Sequence, residues 1–175
     1  SVPVITGFIG ATRAGVTTTL GRGGSDFSGA IFGVALDAQA VWIWTDVNGV
    51  MSADPRVVPG ARTIPEMTFR EISELAFYGA KVLHPATIQP ADEAGIPVTV
   101  RHTERPRGRF TTIRRDVHSL RPVTALATRG PVTVLTVTST RMLDQSGFLA
   151  GLFEVFGRLG VSVDLIATAE VSVSL

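Results

Sequence analysis

The chain has 175 residues, of which 45% are hydrophobic and 18% charged, a composition that indicates a folded chain with a sizeable core and argues against wholesale disorder. A net charge of +1 argues against a protein that binds nucleic acid or a membrane surface through a basic face. The absence of cysteine excludes disulfides and thiolate metal sites, and no apolar run reaches the roughly 20 residues of a transmembrane helix.

The chain opens with a pattern that predicts a buried strand over residues 2–6, followed by a long glycine- and threonine-rich loop over 7–24. A helix is expected from Ser25, a good N-cap residue, with Asp26 in the first turn, where the helix dipole favours negative charge. Its predicted apolar face repeats at helical spacing and comprises Phe27, Ala30, Ile31, Val34, Ala35 and Ala38.

The next elements are a strand over residues 40–45 and a turn at Asn48-Gly49. Residues 52–67 are punctuated by proline and predict irregular structure. Thr68 and Glu71 then form the T-x-x-E pattern of a capping box, which predicts the start of a second helix.

That second helix is expected to end at Tyr78-Gly79, and a third to run from Pro85 to Gly95. Residues 97–102 predict another strand. Alternation of strands and helices implies a mostly parallel sheet with helices on both faces, a three-layer αβα arrangement.

An arginine-rich stretch over residues 103–122 predicts a solvated linker and a domain boundary, so we expect one domain over 1–115 and a second over 116–175. In the second, strands over 123–140, a helix over 146–160 and strands over 161–168 and 170–175 form a βαββ order. This order is typical of half of a ferredoxin-like module. The helix carries an apolar stripe: Phe148, Leu152, Val155, Phe156 and Leu159.

The first segment that could carry chemistry is GRGGSD, residues 21–26. A glycine loop that opens a helix presents unpaired backbone N–H groups and is a ready anion site. Arg22 can bind a carboxylate or phosphate in bidentate fashion, and Asp26 can orient an ammonium group. A capped tight turn with a surface arginine explains the same residues equally well.

Two further segments carry polar groups. TDVNGVMSADPR, residues 45–56, follows a strand, where ligands of open α/β sheets bind, although Asp46 and Asp54 could simply cap turns. YGAKVLHP carries the only lysine of the chain, Lys81. His84 we interpret as a core residue. Together the segments offer the positive charge that phosphoryl transfer requires.

LGRGGSD, TDVxGVxxADPR and GAKVLHP, in this order, resemble the aspartate kinases of the amino-acid kinase superfamily. The stretch MLDQSGFLAGLFEVFGRLGVSVDLIATAEVSVSL resembles the first ACT regulatory module of the same enzymes. The resemblance implies a phosphotransferase with a carboxyl acceptor. It would phosphorylate L-aspartate with ATP and Mg²⁺ to give 4-phospho-L-aspartate, the first step of lysine, threonine and methionine biosynthesis.

The resemblance also implies roles for individual residues. Arg22, Gly23, Gly24, Ser25 and Asp26 match the loop that binds aspartate, and Asp26 and Lys81 match catalytic positions. The implied nucleotide contacts are Thr45, Asp46, Met51, Arg56, Lys81 and Val82. Met51 stands where the family usually has a tyrosine.

For the regulatory part, the resemblance implies that an amino-acid effector, lysine or threonine or both, inhibits the enzyme at a homodimer interface. The implied effector contacts are Met142, Gln145, Ser162, Val163, Asp164 and Thr168. The family commonly reads T-S-E where this chain has Thr168-Ala169-Glu170. The loss of one hydroxyl leaves the identity of the effector open.

Both ends fall within strand-like runs, and the lysine-bearing N-terminal motif of the family is not among these residues. We therefore expect a fragment with little kinase activity on its own, from a cytoplasmic enzyme. The alternative is a non-catalytic, amino-acid-binding regulatory subunit.

Overall fold

A computed structural model describes residues 2–79, 82–118, 122–128, 130–142 and 146–175. The chain divides into two compact units, Ser1–Arg129 and Gly130–Leu175. The expected boundary at 115/116 lies earlier than this division, because residues after it remain tied to the first unit. Thr124 Oγ1, for example, donates a hydrogen bond to Glu71 Oε1 at 2.6 Å.

The first unit contains three helices and six strands among its described residues. The helices are α1 (Gly24–Ala35), α2 (Phe69–Phe77) and α3 (Pro85–Ala94). The strands are β1 (Ile9–Ala11), β2 (Thr17–Thr19), β3 (Val41–Thr45), β4 (Glu66–Thr68), β5 (Val98–His102) and β6 (Thr111–Arg114).

The main sheet of the first unit has the order β3-β5-β6-β4. β3 runs parallel to β5 and β4 parallel to β6, whereas β5 and β6 are antiparallel. Two of the three strand pairings are thus parallel, as the expected mostly parallel sheet requires, and the β5–β6 pairing makes the sheet mixed. The mixed α/β class is confirmed, and the core lies between the buried residues of the sheet and the helices, among them Val41, Ile43 and Ile88.

The opposite face of β3 carries two tryptophans that the described helices do not cover. Trp42 is 56% exposed and Trp44 43% exposed. The guanidinium carbon of Arg101 lies 4.4 Å from the Trp42 ring centroid and 3.9 Å from that of Phe110. This stacking shields part of the aromatic surface from water.

Three sequence-based predictions for the first unit are wrong, and tertiary contacts explain why. Residues 2–6 form no strand, and Val4 is 96% exposed. The expected loop over 7–24 contains the hairpin β1–β2, in which Ile9 pairs with Thr19. The expected linker contains β6, because Thr111 and Ile113 are fully buried against the sheet.

The predictions that rest on local signals are confirmed. Thr68 Oγ1 accepts a hydrogen bond from the Glu71 N–H, and Glu71 accepts one from the Thr68 N–H, which completes the capping box at α2. Gly95 ends α3 with φ of 70°, a conformation that glycine adopts without strain.

The second unit contains β7 (Thr136–Thr138), α4 (Phe148–Arg158), β8 (Ala167–Thr168) and β9 (Ser172–Ser174). This is the expected βαββ order, and β9 pairs antiparallel with both β7 and β8. Phe148, Leu152 and Phe156 are half-buried, whereas Val155 and Leu159 are exposed. Residues 123–128 form no strand, contrary to expectation.

The longest helix in the described ranges, α1, has 12 residues. None of the helices described is therefore long and apolar enough to cross a bilayer.

The buried face of α1 differs from the predicted one because small residues set how closely the helix packs. Gly24, Ser28, Ala30 and Gly33 are buried, whereas Ile31 and Val34 are largely exposed. A Cβ atom at Gly33 would lie 2.5 Å from Val41 Cγ2, closer than any ordinary contact. The helix therefore rests on β3 at a distance that only glycine permits.

Substitution of Gly33 by alanine should consequently destabilise the fold, by about 1–3 kcal/mol for overpacking against a stiff β-branched neighbour. Gly29→Ala is the matched control, because its Cβ would lie at an ordinary 3.8 Å from Val41. It should stabilise the helix by up to about 1 kcal/mol through helix propensity. Urea unfolding of both variants measures this, and equal stabilisation by the two would contradict the packing argument.

Candidate functional site

The glycine loop, residues 21–26, turns directly into α1. Gly23 is the N-cap residue with φ of 72°, and no side chain caps the helix. Ser25 was expected to cap the helix, but it lies within the first turn and is exposed. The Gly24 N–H donates to the Gly21 carbonyl at 3.0 Å, so the N–H groups of Ser25 and Asp26 are the ones that remain free at this helix end within the described contacts.

Two close approaches hold this loop in place. A Cβ at Gly23 would lie 2.6 Å from Thr87 Cγ2 and 3.5 Å from His84 Cβ, both at the start of α3. A Cβ at Gly24 would lie 2.9 Å from Phe8 Cδ2. The loop is thus pressed against α3 on one side and against the base of the β1–β2 hairpin on the other.

Ser28 ties the hairpin to the first turn of α1. Its hydroxyl donates to the Gly24 carbonyl at 2.8 Å and accepts from the Phe8 N–H at 3.0 Å. Phe8 itself has φ of 70°, an uncommon conformation for a bulky residue that the surrounding contacts must maintain. Contacts with α3 and with the β1–β2 hairpin therefore fix the backbone of the glycine loop.

The side chains of the loop differ in exposure. Arg22 and Ser25 are exposed, and Asp26 is half-buried. Burial raises the pKa of the Asp26 carboxyl above its usual value, in opposition to the helix dipole, which favours the anion at this position. A carboxylate whose solvation is incomplete gains from a cationic partner, so Asp26 is suited to receive an ammonium group.

A second group of candidates lies where β3 and β5 end side by side. Thr45 is paired with His102 in the parallel register. Its hydroxyl donates to Asp46 Oδ1 at 3.1 Å, and its carbonyl accepts from the Thr103 N–H at 2.8 Å. Asp46 is exposed at this carboxyl edge of the strands, the edge at which ligands of open α/β sheets bind.

A cavity of about 290 Å³ joins three of the predicted nucleotide contacts, Met51, Arg56 and Val82. Its walls are largely apolar and include Val47, Leu75 and Leu126. Thr45 and Asp46 are not among its lining residues. They directly precede Val47, which does line the cavity.

Arg56, which lines this cavity, forms an ion pair with Asp54. Its guanidinium donates to both carboxylate oxygens of Asp54, with Nη2 2.7 Å from Oδ2 and Nε 3.0 Å from Oδ1. Hydrogen bonding from Arg56 lowers the pKa of Asp54 to about 2. Asp54 Oδ1 also accepts a hydrogen bond from the Arg56 backbone N–H at 2.9 Å, so Asp54 caps the turn as well as orienting the Arg56 guanidinium and offsetting its charge.

The glycine loop and the cavity are connected by residues 82–84. Val82 lines the cavity, and His84 lies against Gly23. Two residue steps span at most about 7 Å of chain, so the two candidate sites are neighbours. His84 is exposed, so its interpretation as a core residue is wrong; the proline after it makes it the N-cap of α3. Lys81 lies outside the described residues.

Thr87 and the stretch Leu126–Thr128 contribute to these sites without any signal in the sequence. Thr87 is buried, and its hydroxyl donates to the His84 carbonyl at 2.6 Å. Leu126, Ala127 and Thr128 line the cavity. Both contributions depend on tertiary contacts between residues far apart in the chain.

The second unit has a cavity of about 400 Å³ beside the start of α4. Of the predicted effector contacts, Met142 and Thr168 line it, together with Ala169 and Glu170. Ser162, Val163 and Asp164 are not in its lining, and Gln145 lies outside the described residues.

The part of the chain that the structure describes holds no group of three His, Asp or Glu side chains placed to bind a metal. A protein cage for Mg²⁺ is therefore not formed by these residues. Mg²⁺ is often bound instead through one or two carboxylates together with the phosphates of a ligand.

The contact between Gly23 and Thr87 can be tested against a matched position. Gly21 and Gly23 both have positive φ, 79° and 72°, but a Cβ at Gly21 meets nothing within 4 Å. Alanine at either position should destabilise the fold by about 1–2 kcal/mol because of the left-handed backbone. Only Gly23→Ala should cause additional destabilisation, through overlap with Thr87.

The additional cost should fall when Gly23→Ala is combined with Thr87→Ser, which removes the methyl group and keeps the hydroxyl. Urea unfolding of the single and double variants measures the coupling. Equal destabilisation by Gly21→Ala and Gly23→Ala would show that the methyl contact does not restrict the loop.

Comparison with known proteins places this geometry in a family. The amino acid kinase family model matches residues 1–102. Lysine-sensitive aspartokinase 3 of Escherichia coli K12 is 50% identical over 169 residues, covering 97% of this chain and 38% of the relative. Chloroplastic aspartokinase 3 of Arabidopsis thaliana is 46% identical over 177 residues, covering 100% of this chain and 32% of the relative.

Solved structures agree with the sequence relatives. E. coli aspartokinase III in complex with lysine and aspartate superposes with a TM-score of 0.77 at 49% identity, covering 96% of this chain and 38% of that chain. The same enzyme with aspartate and ADP has a TM-score of 0.76, also at 49% identity and with the same coverage.

The chain thus spans about a third of the length of the relatives that it matches. The resemblance to aspartokinases read from its motifs is confirmed, and since the family model covers more than half of its residues, the chain belongs to the amino acid kinase family.

Proposed function

We propose that this chain is part of an aspartate kinase that transfers the γ-phosphoryl group of ATP to the side-chain carboxylate of L-aspartate. The observation that carries the proposal is the direct connection through residues 82–84 between the glycine loop, suited to a carboxylic acid, and the cavity, suited to a nucleotide. Relatives solved with aspartate and with ADP support the same pair of ligands.

On the acceptor side, the exposed Arg22 guanidinium binds a carboxylate of aspartate in bidentate fashion. The free N–H groups at the start of α1 add a partial positive charge beside it. Asp26 orients the substrate ammonium group. The positive charge of that group stabilises the Asp26 carboxylate, which burial has partly removed from water. Gly23, Gly24 and Ser25 present backbone to the substrate.

On the donor side, the apolar walls of the cavity receive the base and Arg56 contacts the phosphates, a role that the motif match also implies for Lys81. Thr45, Asp46, Met51 and Val82 contribute the remaining contacts. Mg²⁺, when bound with ATP, neutralises phosphate charge. Because the ion pair with Asp54 holds the Arg56 guanidinium in one orientation, less side-chain freedom is lost when the nucleotide binds.

In the proposed reaction, a side-chain carboxylate oxygen of aspartate attacks the γ-phosphorus and forms the new P–O bond of 4-phospho-L-aspartate. The bond from the γ-phosphorus to the β–γ bridging oxygen breaks, and ADP leaves with that electron pair. Catalysis of such a transfer is mainly positioning and charge stabilisation. A glycine loop held rigidly by Thr87 and Phe8 serves the first requirement.

The second unit we propose as part of an ACT regulatory module, on the basis of its βαββ order and the cavity beside α4. Glu170 contributes a carboxylate to that cavity, which favours lysine over threonine as effector, with Met142 and Thr168 beside it. Gln145, Ser162, Val163 and Asp164 complete the proposed effector contacts at a homodimer interface. The regulatory part begins after the first compact unit, which extends to Arg129, and not at the expected 115/116. The proposed enzyme is cytoplasmic and catalyses the first step of lysine, threonine and methionine biosynthesis.

Removal of the Arg22 guanidinium tests the acceptor site in the protein that carries this chain at its full natural length. Arg22→Gln should raise KM for aspartate by about 10–100-fold, since a charged, hydrogen-bonded contact worth about 1.5–3 kcal/mol is lost, with KM for ATP nearly unchanged. Arg13→Gln, in the exposed turn between β1 and β2, is the control. The 175-residue chain alone should turn over far more slowly than the full protein.

An unchanged KM for aspartate in Arg22→Gln would contradict the assignment of the loop. A protein that binds amino acids yet forms no acyl phosphate at all would favour the regulatory-subunit alternative.

The regulatory proposal predicts that lysine inhibits the full-length protein and that Glu170→Gln weakens this inhibition by about tenfold, the effect of losing about 1.4 kcal/mol of charge interaction. Glu154→Gln, in the exposed part of α4 and outside the cavity lining, is the control. Initial rates at increasing lysine and threonine measure it; inhibition by threonine alone would overturn the choice of effector.

A further inference from the structure

Residues 123–128, which we name the strap, run across the first unit after β6 without forming a helix or strand. Their last three residues, Leu126, Ala127 and Thr128, line the same cavity as Met51 and Arg56. Leu126 is 66% exposed although it stands at the wall of an apolar cavity. A large apolar side chain in that position has contact area left for a ligand.

The strap is attached at two points to elements that carry the site. The Leu126 N–H donates to the Ser52 carbonyl at 2.9 Å, in the loop that bears Met51 and Arg56. Thr124 Oγ1 donates to Glu71 Oε1 at 2.6 Å. Ala125, between these two attachments, packs against the core. These contacts position the backbone of the strap up to Leu126.

Glu71 divides its two carboxylate oxygens between the strap and the cap of α2. Oε2 accepts from the Thr68 N–H at 2.7 Å, whereas Oε1 accepts from Thr124. Despite partial burial, which acts in the opposite direction, hydrogen bonds from Thr124 and Thr68 lower the pKa of Glu71. The carboxylate is therefore ionised at neutral pH and holds the strap by a charge-assisted hydrogen bond.

The rest of the cavity lining is also mostly apolar. It includes Val47 and Val50, which precede Met51, together with Leu75 of α2 and Val82. A cavity with largely apolar sides, whose lining also holds Arg56 paired with Asp54, matches a ligand that has both a flat ring and anionic groups. A nucleoside phosphate has this form.

We propose that the strap forms one wall of the nucleotide cavity and that Leu126, positioned by the Thr124–Glu71 hydrogen bond, contacts the nucleobase and sets the affinity for the nucleotide. This inference rests on the proposed function for the identity of the nucleotide. Thr124 and Glu71 are positioning residues because they act on the base only through Leu126.

The test is the Kd of ADP, measured by titration calorimetry on the full-length protein and its variants. Leu126→Ala should weaken ADP binding by about tenfold, and Leu126→Met should retain it, because only the first removes most of the apolar contact. Val123→Ala is the control: Val123 is similarly exposed in the strap, at 61%, but lies outside the cavity lining.

A second pair of variants tests the attachment. Thr124→Val, which loses the hydroxyl at nearly constant shape, should weaken ADP binding several-fold, and Thr124→Ser should restore it. KM for aspartate should stay constant in all of these variants, which a general structural defect would not allow. Thermal unfolding confirms that each variant is folded.

A Kd of ADP within about twofold of the original protein in folded Leu126→Ala would overturn the proposal. Loss of ADP affinity in Leu126→Ala together with an absence of aspartyl phosphate in the original protein would leave the strap supported and refute the proposed reaction. Normal kinase activity in the original protein, together with unchanged ADP binding in Leu126→Ala, would support the proposed reaction and refute the role of the strap.

Discussion

Close packing of α1 against its neighbours is the constraint on which the rest of the first unit depends. Near its C-terminal end, Gly33 lies against Val41 of β3, and at its N-terminal end Gly23 lies against Thr87 of α3. Any side chain larger than hydrogen at either position would overlap a stiff, buried β-branched residue. The helix is therefore held at a single distance from both the sheet and α3.

This constraint explains why the chain places its glycine loop where it does. The loop is the N-terminal continuation of α1, so fixing the helix against α3 also fixes Arg22 and Asp26 relative to His84. From His84 the chain leads back to Val82 in the wall of the nucleotide cavity. The acceptor and donor sides of the proposed reaction are thus related by backbone geometry, with little need for long side chains to bridge them. Rigid positioning of this kind is what phosphoryl transfer requires of a protein.

Features determined by neighbours in the sequence could be predicted, and those determined by distant contacts could not. The Thr68–Glu71 capping box and the Gly95 helix end follow from residues a few positions apart, and both are confirmed. The β6 strand could not be read from its arginine-rich surroundings, because Thr111 and Ile113 become strand residues only through pairing with β4 and β5. The same holds for the buried face of α1, which small residues rather than large ones define.

The candidate site shows the same division. Its motifs predicted the glycine loop and three of the residues that line the cavity, Met51, Arg56 and Val82, since each motif is a contiguous stretch with a chemical reason for its residue types. Thr87 and Leu126 have no such local pattern and enter the site through contacts with Gly23 and with the loop at Ser52. His84 was misjudged because an isolated histidine gives no indication of its exposure, whereas the following proline sets it at a helix start.

The central claim is that one contiguous site holds an amino-acid acceptor at the glycine loop and a nucleotide donor in the cavity beside it. A crystal structure of the full-length protein with L-aspartate and an unreactive ATP analogue tests this most directly. The account predicts an aspartate carboxylate within hydrogen-bonding distance of the Arg22 guanidinium and the base of the nucleotide in contact with Leu126. Aspartate bound away from residues 22–26, or a base outside the cavity, would contradict it.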